Sequence, residues 1–312
     1  MKKMYGFIFF FIVLPAVCHG SRFGTAITDG GKAKISFRVL DDEQRPVEKV
    51  QVQAGFYYDP EKQGIITGET DTNGLCAIEG MTCGDMWYSM EKSGYYKTKG
   101  QYLFGQVEPP VINNHWQPWN PTNMVVLKRI KNPVPMYVKS LNIGVPEFGK
   151  FLGFDIEKGD WVAPYGKGAS SDLLFYPELT QRNPDDFDYT LTLTFPNKGD
   201  GIKAFEGSAL NIGSQFKSDY EAPSGGYPSE WKQFRKRRPK EVETNNIDEN
   251  RIYYFRVRTK LDEHGNIISA RYGKIYGDFL SFTYYLNPTP NDRNVEFDPE
   301  KNLFGGRDRF AP

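Results

Sequence analysis

Four carboxylates crowd one short stretch of the chain, and their side chains are of the type that could do chemistry. They are Asp155, Glu157, Asp160 and Asp172. Two carboxylates can hydrolyse a glycosidic bond, one as acid and the other as base or nucleophile. The aromatic residues Trp161 and Tyr165 lie in the same stretch. The competing interpretation is that these acidic residues, set among Gly and Pro, are solvated turn formers.

Loop tryptophans suggest a second route to a carbohydrate ligand. Trp116 and Trp119 lie in a loop between Pro109-Pro110 and Pro121. Flat rings can stack on the apolar faces of sugars while nearby polar groups bond the hydroxyls. The alternative is that the tryptophans cover the core or seal a domain junction. The predicted ligand-binding residues are Trp116, Trp119, Trp161, Asp160 and Tyr165.

Motifs of several enzyme classes are absent from the sequence. A zinc peptidase needs His-x-x-Glu and a later His, and neither His115 nor His264 fits that pattern. No Gly-x-Ser-x-Gly elbow, phosphate-binding Gly-Lys-Ser loop or dinucleotide fingerprint occurs. No spaced set of acidic residues predicts a calcium loop. We therefore expect no cofactor and no metal, and a non-catalytic protein is favoured.

Two cysteines flank a predicted hairpin. Cys76 and Cys83 stand on either side of residues 77–82. An oxidising compartment would permit a disulfide there, but the separation of the two Cα atoms decides whether it forms. The alternative is a pair of partly buried thiols, and the sequence leaves both open.

A basic stretch from Trp231 to Lys240 has aromatic residues interleaved with its charges. A stretch with this pattern could bind phosphates or an acidic polysaccharide. Glu241, Glu243 and Asp248 follow closely and would cancel its field. A solvated loop or short helix is favoured. The formal net charge is +0, so we expect no nucleic-acid partner.

The N-terminus predicts export. Lys2 and Lys3 precede an apolar run from Phe7 to Val13, which is too short to span a bilayer. We interpret residues 1–20 as a signal peptide, with no later transmembrane segment. The expected location is the periplasm, cell surface or extracellular space. A lipoprotein anchored through Cys18 is the less favoured alternative.

Strands must position all these residues. Ile35, Phe37 and Val39 alternate with polar residues, which is typical of a half-buried strand. Turn signals and further short apolar runs follow at regular spacing. Gly and Pro number 31 and 21, which suits a chain of strands and turns.

The N-terminal pattern resembles a known module. Pro46-Val47, Asp71-Thr-Asn73-Gly74, Ile78-Glu-Gly80 and Gly94-Tyr95 follow one another at the spacings of the carboxypeptidase regulatory-like module. This resemblance implies a small transthyretin-like β-sandwich, here over residues 31–130, acting as a scaffold and spacer in secreted proteins. It is close over about a fifth of the chain.

A second domain is predicted over residues 133–312, after the stiff junction Asn132-Pro-Val-Pro135. The sequence predicts strands from Tyr189 to Phe195, Ile252 to Leu261, Ile267 to Tyr276 and Phe279 to Leu286. Phrases such as Gly159-Asp-Trp-Val-Ala-Pro164 resemble motifs of an exported bacterial family of unknown function.

The expected fold is all-β: an N-terminal transthyretin- or Ig-like sandwich and a second, mostly antiparallel domain with long loops. The expected function is that of a non-catalytic exported envelope protein, acting as scaffold or adhesion module. The alternative is a carbohydrate-binding or carbohydrate-processing protein that uses the loop tryptophans and acidic residues. The expected partner is a glycan or another envelope protein.

Overall fold

A computed structural model describes residues 22–57, 64–142, 144–205, 213–248, 250–279, 281–305 and 310–312. The predicted signal peptide and Cys18 lie outside the described residues. Nearly all regular structure within these ranges is strand, so the all-β prediction is confirmed. One short helix, α1 (Arg22–Thr28), is present, and no helix in the described ranges has the length and apolar character needed to cross a bilayer.

The chain divides into two compact units, the first ending at Leu127 and the second beginning at Lys128. The N-terminal unit contains two sheets. The first comprises β1 (Gly31–Asp41), β4 (Leu75–Thr82), β7 (Val111–Ile112), β8 (His115–Trp116) and β9 (Thr122–Leu127). The second has the order β3-β2-β5-β6 and comprises β2 (Gln51–Phe56), β3 (Ile65–Glu69), β5 (Asp85–Glu91) and β6 (Thr98–Leu103).

The central strand of the first sheet is β1, which pairs antiparallel with β4 and parallel with β9. Its predicted alternation is confirmed: Ile35, Phe37 and Val39 are fully buried and pack against Val52 and Met90 of the second sheet in one core. The turn before β4 is also as predicted, because the Asp71 carboxylate accepts backbone hydrogen bonds two and four residues on.

The C-terminal unit is built from two six-stranded sheets. One has the order β15-β18-β19-β20-β10-β21 and comprises β10 (Val134–Asn142), β15 (Gly201–Ala204), β18 (Ile252–Leu261), β19 (Ile267–Gly277), β20 (Ser281–Leu286) and β21 (Phe297–Asn302). The other has the order β12-β11-β13-β14-β16-β17 and comprises β11 (Leu152–Asp155), β12 (Asp160–Trp161), β13 (Leu173–Asn183), β14 (Asp186–Thr194), β16 (Glu230–Arg237) and β17 (Thr244–Asn245).

The two sheets share one core, to which Phe175 and Leu191 contribute from one side and Phe255 and Tyr284 from the other. The four strands predicted from the sequence are confirmed as β14, β18, β19 and β20, and the last three form the expected meander. The predicted loop or short helix over 231–240 is wrong, because residues 230–237 form β16 and pair with β14 over eight positions.

Candidate functional site

Arg258 gathers three of the predicted carboxylates into one ion-pair cluster. It lies on β18 where the register with β19 shifts, and its φ is +56°. Its Nε lies 2.7 Å from Asp172 Oδ1 and its Nη2 lies 2.9 Å from Asp172 Oδ2, which makes a bidentate pair. Nη2 also lies 3.4 Å from Asp155 Oδ1, and Nη1 pairs with Glu157.

Backbone amides also donate to the two buried carboxylates, Asp155 and Asp172. The Oδ1 atom of Asp155 accepts hydrogen bonds from the amides of Glu157 and Lys158, at 3.0 and 3.1 Å. Its Oδ2 accepts from the amides of Ala169 and Ser170, at 2.9 and 3.1 Å. The Ile156 amide donates to Asp172 Oδ2 in the same way, at 3.1 Å. These bonds fix the segment 155–172 in place.

Burial is the largest influence on one member of this cluster, the Asp172 carboxyl. It raises the pKa of the Asp172 carboxyl, while the Arg258 guanidinium opposes the rise. Asp155 and Asp172 are each 2 % exposed, and their oxygens face backbone amides and Arg258. The cluster therefore ties loops to a strand. Among the described residues, no group of three or more His, Cys, Asp or Glu side chains is arranged to hold a metal ion.

The fourth predicted carboxylate, Asp160, builds its own turn. Its Oδ1 accepts the Trp161 amide and its Oδ2 accepts the Lys167 amide, both at 2.8 Å. The Trp161 ring packs edge-on against Phe154 and Phe175, with ring centroids 5.4 and 5.6 Å apart. Tyr165 is the most exposed of the three predicted ligand-binding residues in this unit, Asp160, Trp161 and Tyr165. Its hydroxyl donates to the Glu147 carboxylate.

The two loop tryptophans of the N-terminal unit have different environments. Trp116 is 3 % exposed, packs within the core, and donates its indole N–H to the Thr82 carbonyl at 2.8 Å. Trp116 therefore covers the core, as in the alternative interpretation of the loop tryptophans. Trp119 is 38 % exposed and meets the edge of His115 with ring centroids 4.6 Å apart.

The predicted hairpin between the cysteines is wrong, because β4 runs without interruption from Leu75 to Thr82. At about 3.3 Å per residue, the Cα atoms of Cys76 and Cys83 lie roughly 20 Å apart. A disulfide needs about 4.4–6.8 Å. The two sulfurs are accordingly not bonded to each other. Burial raises the pKa of the Cys76 thiol, and the nearby Asp71 charge adds to the rise.

One buried lysine, Lys274, was not predicted from the sequence. Lys274 is fully buried, and its Nζ lies 4.4 Å from the centroid of the Phe216 ring, 4.9 Å from Tyr276 and 4.8 Å from Tyr285. A second buried lysine, Lys128, lies 5.0 Å from the same Phe216 centroid. The sequence does carry one signal for this burial. Lys274 lies two residues from both Tyr272 and Tyr276 on β19, so all three side chains are on the same face of the strand.

No family model and no curated protein sequence matches the chain. Among solved structures, 3-chlorocatechol 1,2-dioxygenase from Rhodococcus opacus 1CP is similar at 13 % identity and a TM-score of 0.27, over 32 % of this chain and 61 % of the dioxygenase. The chain thus spans less than two thirds of that enzyme.

Two further solved structures are similar at low scores. The major pilin subunit BcpA of Bacillus cereus is 11 % identical, with 85 % of this chain and 99 % of the pilin covered and a TM-score of 0.23. A putative carbohydrate binding protein from Bacteroides uniformis is 11 % identical, with 83 % and 98 % covered and a TM-score of 0.19.

Proposed function

We propose that the protein is an exported, non-catalytic scaffold or adhesion protein of a bacterial envelope. The observation that carries this proposal is the role of the carboxylates at Asp155, Glu157 and Asp172. Each binds Arg258, and the two aspartates also bind backbone amides, so these groups fix loops to the sandwich. Rigid loops on a β-scaffold suit a protein that bears or transmits contacts between partners.

The predicted leader over residues 1–20 supports the export part of this proposal. The resemblance of residues 31–130 to a spacer module of secreted proteins supports the scaffold part. The partner would be another envelope protein or a glycan.

Carbohydrate binding or processing is a second candidate function. Its support among the predicted residues comes from two exposed rings, Trp119 beside His115 and Tyr165 in the C-terminal unit. Trp116 no longer contributes, since its ring lies in the core.

Expression of the whole chain in a bacterial host, followed by fractionation and intact-mass measurement, tests the proposal. We expect an exported protein that begins at Ser21 and does not hydrolyse nitrophenyl glycosides. Lipid on Cys18 would select the lipoprotein alternative. A cytoplasmic chain retaining Met1 would contradict export. Glycoside hydrolysis that disappears in a folded Glu157→Gln variant would contradict the non-catalytic role.

A further inference from the structure

A polar pocket of about 470 Å³ lies in the C-terminal unit beside the pairing of β16 with β17. Its polar lining comes from Arg235, Glu243, Asn245, Asp248, Asn250 and Asp278. None of these belongs to the ligand-binding residues predicted from the sequence. A volume of this size is within the range of small-molecule sites.

Two buried polar groups lie next to residues that line this pocket: Tyr189 pairs across the sheet with Arg235, and Gln233 bonds the residue after Asp278. Within the described part of the chain, neither the Tyr189 hydroxyl nor the Gln233 Nε2 has a hydrogen-bond partner. Tyr189 is 8 % exposed and Gln233 is 2 % exposed. Buried polar groups in native proteins are nearly always hydrogen-bonded, so two unpartnered groups at one place point to a partner from outside the chain.

Strand geometry places both groups on the same face of the sheet as Arg235, which lines the pocket. Gln233 and Arg235 are two residues apart on β16 and therefore lie on the same face of the sheet. Tyr189 of β14 is the direct cross-strand neighbour of Arg235. The Phe279 amide donates to Gln233 Oε1 at 3.2 Å, which fixes Gln233 beside the Asp278 segment and leaves Nε2 as its available donor.

The charges around Tyr189 agree with this placement. Burial, together with the nearby Asp278 carboxylate, raises the pKa of Tyr189 to about 12, and Arg235 opposes the rise. Asp278 and Arg235, the two charges that influence this hydroxyl, both line the pocket. At neutral pH the hydroxyl keeps its proton and can donate it in a hydrogen bond.

The chemistry of the lining selects the ligand class. Arg235 already forms a bidentate pair with Glu243, at 2.8 and 3.0 Å, and three carboxylates line the pocket, which disfavours an anion. An ammonium group has no lone pair to accept a bond from Gln233 Nε2. A hydroxyl group meets both demands, since it accepts from Gln233 or Tyr189 and donates to Asp278 or Asp248.

We propose that this pocket binds a neutral carbohydrate through its vicinal hydroxyl groups, with Tyr189 and Gln233 at the base and the carboxylates and Asn250 at the rim. This site goes beyond the scaffold role and its test does not depend on export. The pocket could bind a sugar in a protein that is secreted, lipid-anchored or retained.

Titration calorimetry of the purified mature chain with glucose, galactose, mannose, xylose and N-acetylglucosamine, each to 10 mM, tests the proposal. Oligosaccharides containing these residues follow on a glycan array. We expect at least one sugar to bind, and Tyr189→Phe to weaken that binding about five- to tenfold by removing one hydrogen bond. Thermal stability of this variant should not fall, because the lost hydroxyl has no hydrogen-bond partner among the residues that the structure describes.

Tyr176→Phe is the matched control. Tyr176 lies on β13 between two buried residues and therefore faces outward, where its ring packs against Phe151. It should leave affinity unchanged. Asn250→Ala changes an exposed rim residue and serves as a second variant if Tyr189→Phe misfolds. Absence of binding by the folded chain, or binding unaltered in both pocket variants, would overturn the proposal.

Discussion

At the scale of single residues, Lys274 is the most unusual feature of the C-terminal unit. Its Nζ has Ser218 Oγ at 3.3 Å and aromatic rings around it, and Lys128 donates to the Ser218 carbonyl close by. Burial lowers the pKa of Lys274 well below its usual value, and repulsion by Lys128 lowers it further, while Glu296 opposes the change. Folding therefore favours the neutral amine.

This lowered pKa predicts a pH-dependent stability. Between the pKa of Lys274 in the folded state and about 10.5, the unfolded chain binds more protons than the folded chain, so the free energy of unfolding rises with pH. Lys274→Met should flatten that rise and stabilise the protein at pH 7 by about 1–3 kcal/mol. Urea unfolding from pH 6 to 10 measures both effects. Lys260→Met, an exposed lysine on β18, is the control. Identical pH slopes in wild type and Lys274→Met would contradict the prediction.

At the scale of elements, Arg258 joins β18 to the segment between β11 and β13. The register shift and positive φ at this residue are features of a β-bulge, which re-aims a side chain out of the regular alternation. Here the guanidinium reaches Asp172 and Asp155, which would otherwise be buried carboxylates bound by amides alone.

Removal of this guanidinium should destabilise the C-terminal unit. Arg258→Ala leaves two carboxylates, each 2 % exposed, without their cation, which we expect to cost about 3–5 kcal/mol. Chemical denaturation measures the loss. Arg182→Ala removes an exposed pair with Asp186 and Asp188 and should cost less than about 1 kcal/mol. Equal losses in the two variants would show that the Arg258 cluster stabilises the unit no more than an exposed ion pair does.

Alternation made several elements predictable from the sequence. The strand β14 carries a period of two, whereas β18 was predicted from its content of Tyr, Phe and Val, and both signals are local. The strand β16 was missed because its charges hide the alternation of Trp231, Gln233 and Arg235 with outward residues. The burial of Trp116 could not be predicted either, since its partner Thr82 is 34 residues distant in sequence and adjacent only after folding.

At the scale of the whole chain, the residues following Leu127 belong to the C-terminal unit. The predicted domain start at residue 133 would omit contacts that this unit uses. The Glu296 carboxylate, 1 % exposed, accepts hydrogen bonds from the amides of Lys131 and Asn132 at 2.8 and 2.6 Å. The Tyr220 hydroxyl donates to the Arg129 carbonyl at 2.7 Å.

Two fragments that differ only at their starts test where this unit begins. A fragment of residues 128–312 retains the amide donors to Glu296, whereas a fragment of residues 133–312 leaves that carboxylate buried with two bonds lost. Hydrogen bonds to charged groups contribute about 1.5–3 kcal/mol each, so we expect the shorter fragment to be less stable by more than about 3 kcal/mol. For a unit of this size the melting temperature should fall by roughly 6 °C or more. Melting curves followed by circular dichroism measure the difference. Coincident curves would place the structural start of the unit at or after Pro133, because the amides of Lys131 and Asn132 would then contribute nothing measurable.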